Sequence, residues 1–174
     1  MLQIKRKELL LQGVYVTNKF IEENLDLTTD KIYELMLIND LRQIGTDTGI
    51  SDQMRGKTCG VLRGPYVLQI NDFLDISAKG EDREIVRTRD DKGKRTLKLV
   101  LSDGIHRSYG IEKTNLRSFT ELTQPGAKIL IKNVPFNRGY LLLKDENAIV
   151  LGGYVQELID LKQKKIREIQ KRKW

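Results

Sequence analysis

The spacing of apolar residues changes at Gly64–Pro65 and keeps its new period as far as Gly152–Gly153. Upstream of that point they recur at intervals of three and four. Downstream they recur at every second position. The first spacing puts side chains on one face of a helix and the second puts them on one face of a strand. The chain is therefore predicted to fold as a helical segment followed by a β domain, mainly β with α.

The helical segment divides at its turn signals. "RKELLLQ" runs to Gly13, a glycine C′ stop. Thr17 is placed to cap a short helix through "NKFIEEN". Thr28–Thr29–Asp30 offers an N-cap and a first-turn acid for a third helix, whose apolar positions Ile32, Leu35, Met36, Leu41 and Ile44 continue to Gly45. Residues 1–45 read as a three-helix bundle. Residues 46–63, "TDTGISDQMRGKTCGVLR", are polar and glycine-rich and read as a linker.

The β pattern occupies 66–76, 96–103, 105–112, 127–134, 139–144 and 147–151. Leu97, Leu99 and Leu101 alternate in "TLKLVLS", as do Ile129 and Ile131 in "AKILIKNV". Asp103–Gly104 signals a hairpin. "KTNLRSFTELTQPG" is long enough for a short helix between the third and fourth strands. Five main strands with such an insert fit a small Greek-key barrel of the oligonucleotide/oligosaccharide-binding (OB) type over residues 64–153. Residues 154–174 read as a C-terminal helix with an apolar stripe of Val155, Leu158 and Ile159.

Between the first two strands lies "SAKGEDREIVRTRDDKGKR", residues 77–95, in which twelve of nineteen residues are charged. Loops in compact domains usually run about 4–6 residues. Such a segment buries too little apolar surface to order itself. Its one apolar pair, Ile85–Val86, is suited to a partner's groove.

Charge locates a second feature. The net charge is +7, and the stretch from Leu161 to Trp174 alone carries +6. The rest of the chain is close to neutral, so Lys162, Lys164, Lys165, Arg167, Lys171, Arg172 and Lys173 form the basic element expected to contact DNA. Truncation after Leu161 is expected to leave the fold intact.

Catalytic signals are absent from the sequence. It holds no GxxxxGK[ST] loop, CxxC pair or HExxH motif. His106 is the only histidine and reads as a residue just past a hairpin turn. Cys59 has no base partner in the pattern, and a lone cysteine gives no internal disulfide. No run reaches the ~18–20 apolar residues of a membrane helix, and no signal-peptide pattern opens the chain. A non-enzymatic protein of the cytosol or nucleus, without cofactor or metal, is the expectation. The stacking mode of OB-folds needs aromatics on the second and third strands. Only Tyr109 meets that need, alternating with Arg107; Tyr66, Phe73 and Tyr140 are expected in the core.

Six segments occur in an order that resembles a known family: "NDLRQIG" (39–45), "GPYVLQI" (64–70), "LKLVLSDGI" (97–105), "GIE" (110–112), "PGAKILI" (125–131) and "GYLLLKDENAIVLGG" (139–153). They are similar to the N-terminal region of the RecQ-mediated genome instability protein 1 family and of its relative, Tudor domain-containing protein 3. The first is favoured by the DGI…GIE spacing and by "PGAKILI". The resemblance implies a nuclear scaffold that binds a type IA topoisomerase, topoisomerase III. With a RecQ-family helicase it would promote decatenation and dissolution of double Holliday junctions. It also implies that the insertion at 77–95 enters the topoisomerase gate, through Lys79, Arg83, Ile85, Val86, Arg87, Arg89, Lys92 and Lys94. The alternatives are a free-standing single-stranded DNA or RNA module, or a topoisomerase III-beta partner of the Tudor-domain type. The first should bind oligonucleotides alone with a steep salt dependence; a scaffold should bind them weakly until its enzyme is present.

Overall fold

The computed structural model describes residues 1–86 and 95–173. Helices α1 (Leu2–Leu11), α2 (Asn18–Glu22) and α3 (Thr29–Ile38) form the expected N-terminal layer. Their boundaries follow local chemistry. The Thr17 hydroxyl accepts from the Phe20 N–H, and that of Thr28 from the Lys31 N–H. Gly13 takes φ +82 behind α1, and a Cβ there would lie 2.8 Å from the Pro65 carbonyl carbon. That contact passes the chain onto the barrel, where the Val67 N–H donates to the Gly13 carbonyl.

The third helix does not run on to Gly45 as its periodicity predicts. It stops at Ile38, and Asp40 caps a separate turn, α4 (Leu41–Ile44), by accepting from the Arg42 N–H. The Leu41 N–H, which a continuous helix would pair internally, donates to the buried Gln69 side chain. The 46–63 stretch is also more than a linker. It holds α5 (Ile50–Met54) and β1 (Cys59–Leu62). Only Leu62 of β1 is buried, so alternation there is too faint to read.

The β domain comprises β2 (Tyr66–Asp75), β3 (Leu97–Ser102), β4 (Arg107–Glu112), β5 (Lys128–Ile131), β6 (Val134–Asn137), β7 (Tyr140–Leu143) and β8 (Ala148–Gly152). With β1 they make one eight-stranded sheet in the order β1-β6-β7-β4-β3-β2-β5-β8, against five main strands expected. The difference arises from bending. The 127–134 run breaks at Asn133, whose φ is 53, giving β5 and β6. β7 and β8 are the two halves of the return. β5 joins β2 antiparallel and β7 joins β4 in parallel, so the sheet curls into a barrel. The predicted helix at 113–126 is a string of turns that sends Leu116 and Phe119 into the barrel interior. Leu97, Leu99, Leu101, Ile129 and Ile131 fill that interior. A second core, of Leu9, Phe20, Ile21, Ile32 and Met36, lies under the helices.

The last helix, α6 (Gln156–Arg172), packs against β2 through Leu158, Lys162 and Ile169. Among the described residues, no helix is long and apolar enough to cross a membrane.

A polar seam joins helices to barrel. Fully buried Lys128 on β5 donates to the Leu37 carbonyl at the end of α3 and to the Gly126 carbonyl. Gly153, φ +85, sits where a Cβ would fall 2.1 Å from the same Leu37 oxygen. Burial lowers the Lys128 pKa to about 8, with Asp40 opposing the shift. Between pH 8 and about 10.5 the unfolded chain therefore binds the proton and the folded chain does not, so stability rises with pH. Below pH 8 both states are charged and the dependence vanishes. Urea unfolding of wild type and Lys128→Met at pH 7.5 and 10 is expected to show wild type gaining about 2 kcal/mol relative to the variant. An unchanged difference would mean that the buried amine keeps its ordinary proton affinity.

Candidate functional site

The insertion between β2 and β3 begins and ends on fixed points. Asp75, the last residue of β2, accepts from the Ser77 N–H and hydroxyl at the start of the insertion. The same carboxylate accepts from the Thr96 N–H at its end. The Ile76 N–H donates to the Thr96 carbonyl at 2.8 Å. Beside this closure, Arg95 pairs with Glu112 at 2.7 Å, both side chains being buried. The Glu112 carboxylate also accepts from the Leu97 and Leu116 N–H groups, and Arg95 lies 5.4 Å from the Phe119 ring centroid. Such a buried pair holds its geometry because its remaining lone pairs are satisfied.

The first half of the insertion is ordered, contrary to the expectation for so polar a segment. A short 3-10 helix, Gly80–Glu84, rests against α6. Glu84 pairs with Lys162 at 2.6 Å and with Lys165 at 3.7 Å. Arg172 pairs with Glu81 at 2.9 Å, and Lys173 pairs with Asp82. Lys162 also reaches Asp72 at 2.9 Å and donates to the Phe73 carbonyl. Burial alone would raise the Asp72 carboxyl, but Lys162 and Lys165 hold it below the usual carboxylate range.

The predicted site residues therefore separate. Lys79, Arg83 and Ile85 are exposed at the base of the insertion. Val86, expected to seek a partner's groove, packs on the barrel core. Arg87, Arg89, Lys92 and Lys94 lie outside the described residues.

The tail divides similarly. Lys162, Lys165, Arg172 and Lys173 are engaged with carboxylates. Lys164, Arg167 and Lys171 are exposed and take part in no ion pair among the described residues. Because Lys162 and Ile169 are buried, the stretch after Leu161 is structural and its removal would uncover β2. The signal was present in the spacing: Leu158, Lys162, Lys165, Ile169 and Arg172 fall on one helical face.

Two further placements differ from expectation. Tyr66 and Phe73 are buried, but Tyr140 stands half-buried on the outer face beside Tyr109, their ring centroids 6.1 Å apart. The parallel pairing of β4 with β7 makes these two residues partners, and no local pattern announces it. Lys98 lies over both rings, at 5.0 and 5.3 Å. Elsewhere, Asp47, Asp103 and His106 bring potential metal-ligand atoms within 4.8 Å of one another. The Asp103 oxygens already accept from Thr48, Ile105 and His106. Burial would raise the Asp103 carboxyl, yet those N–H groups hold it low. The cluster fastens the β3–β4 turn to residues 47–48.

Lys162→Ala is expected to destabilise the protein by about 3 kcal/mol, because it strands Asp72 and Glu84. Lys164→Ala, Arg167→Ala and Lys171→Ala should each stay within about 0.5 kcal/mol. Urea unfolding checks both, and hydrogen exchange at Ile85 should quicken only in the first variant.

Comparison with known proteins gives one family. The family model "RMI1, N-terminal OB-fold domain" matches residues 42–166. The chain is 32% identical over 81% of its length to RecQ-mediated genome instability protein 1 of Oryza sativa, covering 17% of that protein. It is 38% identical over 72% of its length to Tudor domain-containing protein 3 of Xenopus tropicalis, covering 17% of it. Against the Gallus gallus RecQ-mediated genome instability protein 1 the values are 33%, 75% and 24%. The chain thus spans about a fifth of the length of these relatives.

Proposed function

Because the chain belongs to the family of the RMI1 N-terminal OB-fold domain, we propose that it is a non-enzymatic scaffold of genome maintenance. In this reading it binds a type IA topoisomerase, topoisomerase III, and works beside a RecQ-family helicase in the nucleus. It promotes decatenation and the dissolution of double Holliday junctions. The observation that carries the proposal is the family match across the whole barrel, with an insertion between β2 and β3 whose ends are clamped by Asp75 and Glu112. The names of the relatives support a RecQ-linked role, and the Tudor-domain relatives keep a topoisomerase III-beta partner as the near variant.

The physical logic is that of a held probe. A topoisomerase gate opens and closes, so a segment that acts on it must leave a frame that does not move with it. The barrel supplies the frame. Clamps at residues 75–77 and 95–96 fix where the insertion departs, and α6 fixes the direction of its first turns through Glu81, Asp82 and Glu84. Lys79, Arg83 and Ile85 remain on the surface for a partner.

Replacing only residues 87–94 with a short Gly/Ser turn spares every one of those contacts. Loop-closure entropy changes slowly with length, so the melting temperature should stay within about 3 °C. Topoisomerase III should still co-elute with the variant in gel filtration, while decatenation by the complex falls relative to relaxation. Absence of a complex between topoisomerase III and the unaltered chain would overturn the scaffold reading. Undiminished decatenation by the variant would remove the role of the insertion. Plasmid relaxation by the purified chain alone would contradict its non-enzymatic character.

A further inference from the structure

An open groove of about 520 Å³ separates α6 from strands β3 and β4, and the scaffold reading does not use it. Hollows that hold ligands run from ~300 to ~1,000 Å³. The apolar part of the groove is Val100 of β3 with Leu158 and Leu161 of α6. Leu161 is 51% exposed, on a helix whose other exposed positions are all polar. Around this strip stand five cations against two acids, Asp72 and Glu168. Three of the cations are already engaged. Arg42 pairs with Asp40 and Glu157, while Lys162 and Lys165 pair with Asp72 and Glu84. Arg107 and Lys164 are exposed and take part in no ion pair or side-chain hydrogen bond among the described residues. They stand on opposite walls, one on β4 and the other on α6. Register sets Arg107 beside Ser102, two residues along β3 from Val100, which is about 7 Å.

We propose that this groove docks a short acidic segment of a partner protein, one that carries an aliphatic side chain between carboxylates. The aliphatic group seats on Val100, Leu158 and Leu161, and the carboxylates pair with Arg107 and Lys164 on either wall. An apolar centre inside a charged rim is the ordinary anatomy of a protein interface, and the uncompensated cations select the sign of the partner. An uncharged apolar peptide would cover both cations and leave them without partners. A small anion would satisfy the cations and leave Leu161 in water. A nucleic-acid strand would also meet the cations, but its bases need ring faces to stack on, and the groove offers branched aliphatic side chains instead. The nearest exposed rings, Tyr109 and Tyr140, are covered by Lys98. The inference does not rest on the topoisomerase reading and is tested on the chain alone.

The test is fluorescence anisotropy of the unaltered chain with a labelled peptide of repeating Asp-Glu-Leu triplets, about 12 residues long, or roughly 40 Å when extended. Saturable binding is expected. A peptide of the same charge with glycine in place of leucine should bind about tenfold more weakly, the loss of one buried aliphatic side chain. Arg107→Gln and Lys164→Gln should each weaken the leucine peptide by about threefold, as for a partly exposed ion pair. Leu161→Ser should weaken it by about tenfold. Arg167→Gln with Lys171→Gln, both outside the groove lining, should stay within about twofold of wild type, because their charges act only through screening solvent. The three substituted groove side chains are exposed, and melting curves confirm that each variant is folded. Absence of saturable binding overturns the inference, as does wild-type affinity in the folded variant that combines Arg107→Gln with Lys164→Gln. Equal competition by the leucine-free peptide would reduce the groove to a charge effect, and equal competition by oligo-dT of the same charge would assign it to phosphate. Either result overturns the peptide assignment.

Discussion

The parallel pairing of β4 with β7 is the constraint on which the rest of the molecule depends. Three strands in a meander, β2, β3 and β4, give only a flat sheet with two open edges. The long bent hairpin from Lys128 to Gly152 covers both edges, β5 on β2 and β7 on β4. Closure removes unpaired edge groups and turns the alternating leucines of β3 inward from every side. It also defines an outside. Lys98, Tyr109 and Tyr140 become neighbours only because the far end of that hairpin reaches β4 in this register.

Closure leaves the β2–β3 connection as the place where extra chain can be added at little cost to the barrel. The protein treats this connection as a structural joint. Carboxylates of Asp75 and Glu112 gather the ends of the insertion, and α6 gathers its first turns. The acids at 81, 82 and 84 would otherwise face the equally exposed cations of α6 only through water. Placed together, with Lys162 desolvated between Asp72, Glu84 and the Phe73 carbonyl, they form a network. Such a network is worth more than isolated surface pairs, which contribute about 0–1 kcal/mol each. The basic helix is thus partly consumed by the fold.

The helical layer is fastened by polar groups as much as by its own core. Gln69 accepts from the Leu41 N–H and donates to Asp40 and Asn71. Lys128 closes the end of α3, where carbonyls lack helical partners. Satisfied groups of this kind specify one arrangement, because any sliding of helix on sheet would leave buried donors unpaired. The helices and barrel therefore form a single frame through β2 and β5, the strands that also carry α6 and the insertion.

What the sequence determined by itself was local. Thr17 and Thr28 cap helices because their hydroxyls reach N–H groups three residues on, and Gly13 ends α1 because it tolerates positive φ. Alternating leucines and isoleucines identify β3 and β5 because the strand period is two. The insertion was visible as a charged break between two such runs. Tertiary structure decided whatever depends on distant partners. The third helix breaks at Asn39–Asp40 because Gln69, on another element, takes the Leu41 N–H. β1 hides in a polar stretch because only Leu62 is buried, and its other alternate positions face outward. Tyr140 leaves the core for the outer face because β7 meets β4 in parallel, a pairing with no local signal. Lys162 is a buried strut rather than a solvated tail residue because acids from β2 and the insertion, some eighty to ninety positions away, converge on it. Periodicity and capping act over three or four residues, whereas ion pairs and strand registers join elements whose separation the chain itself does not encode.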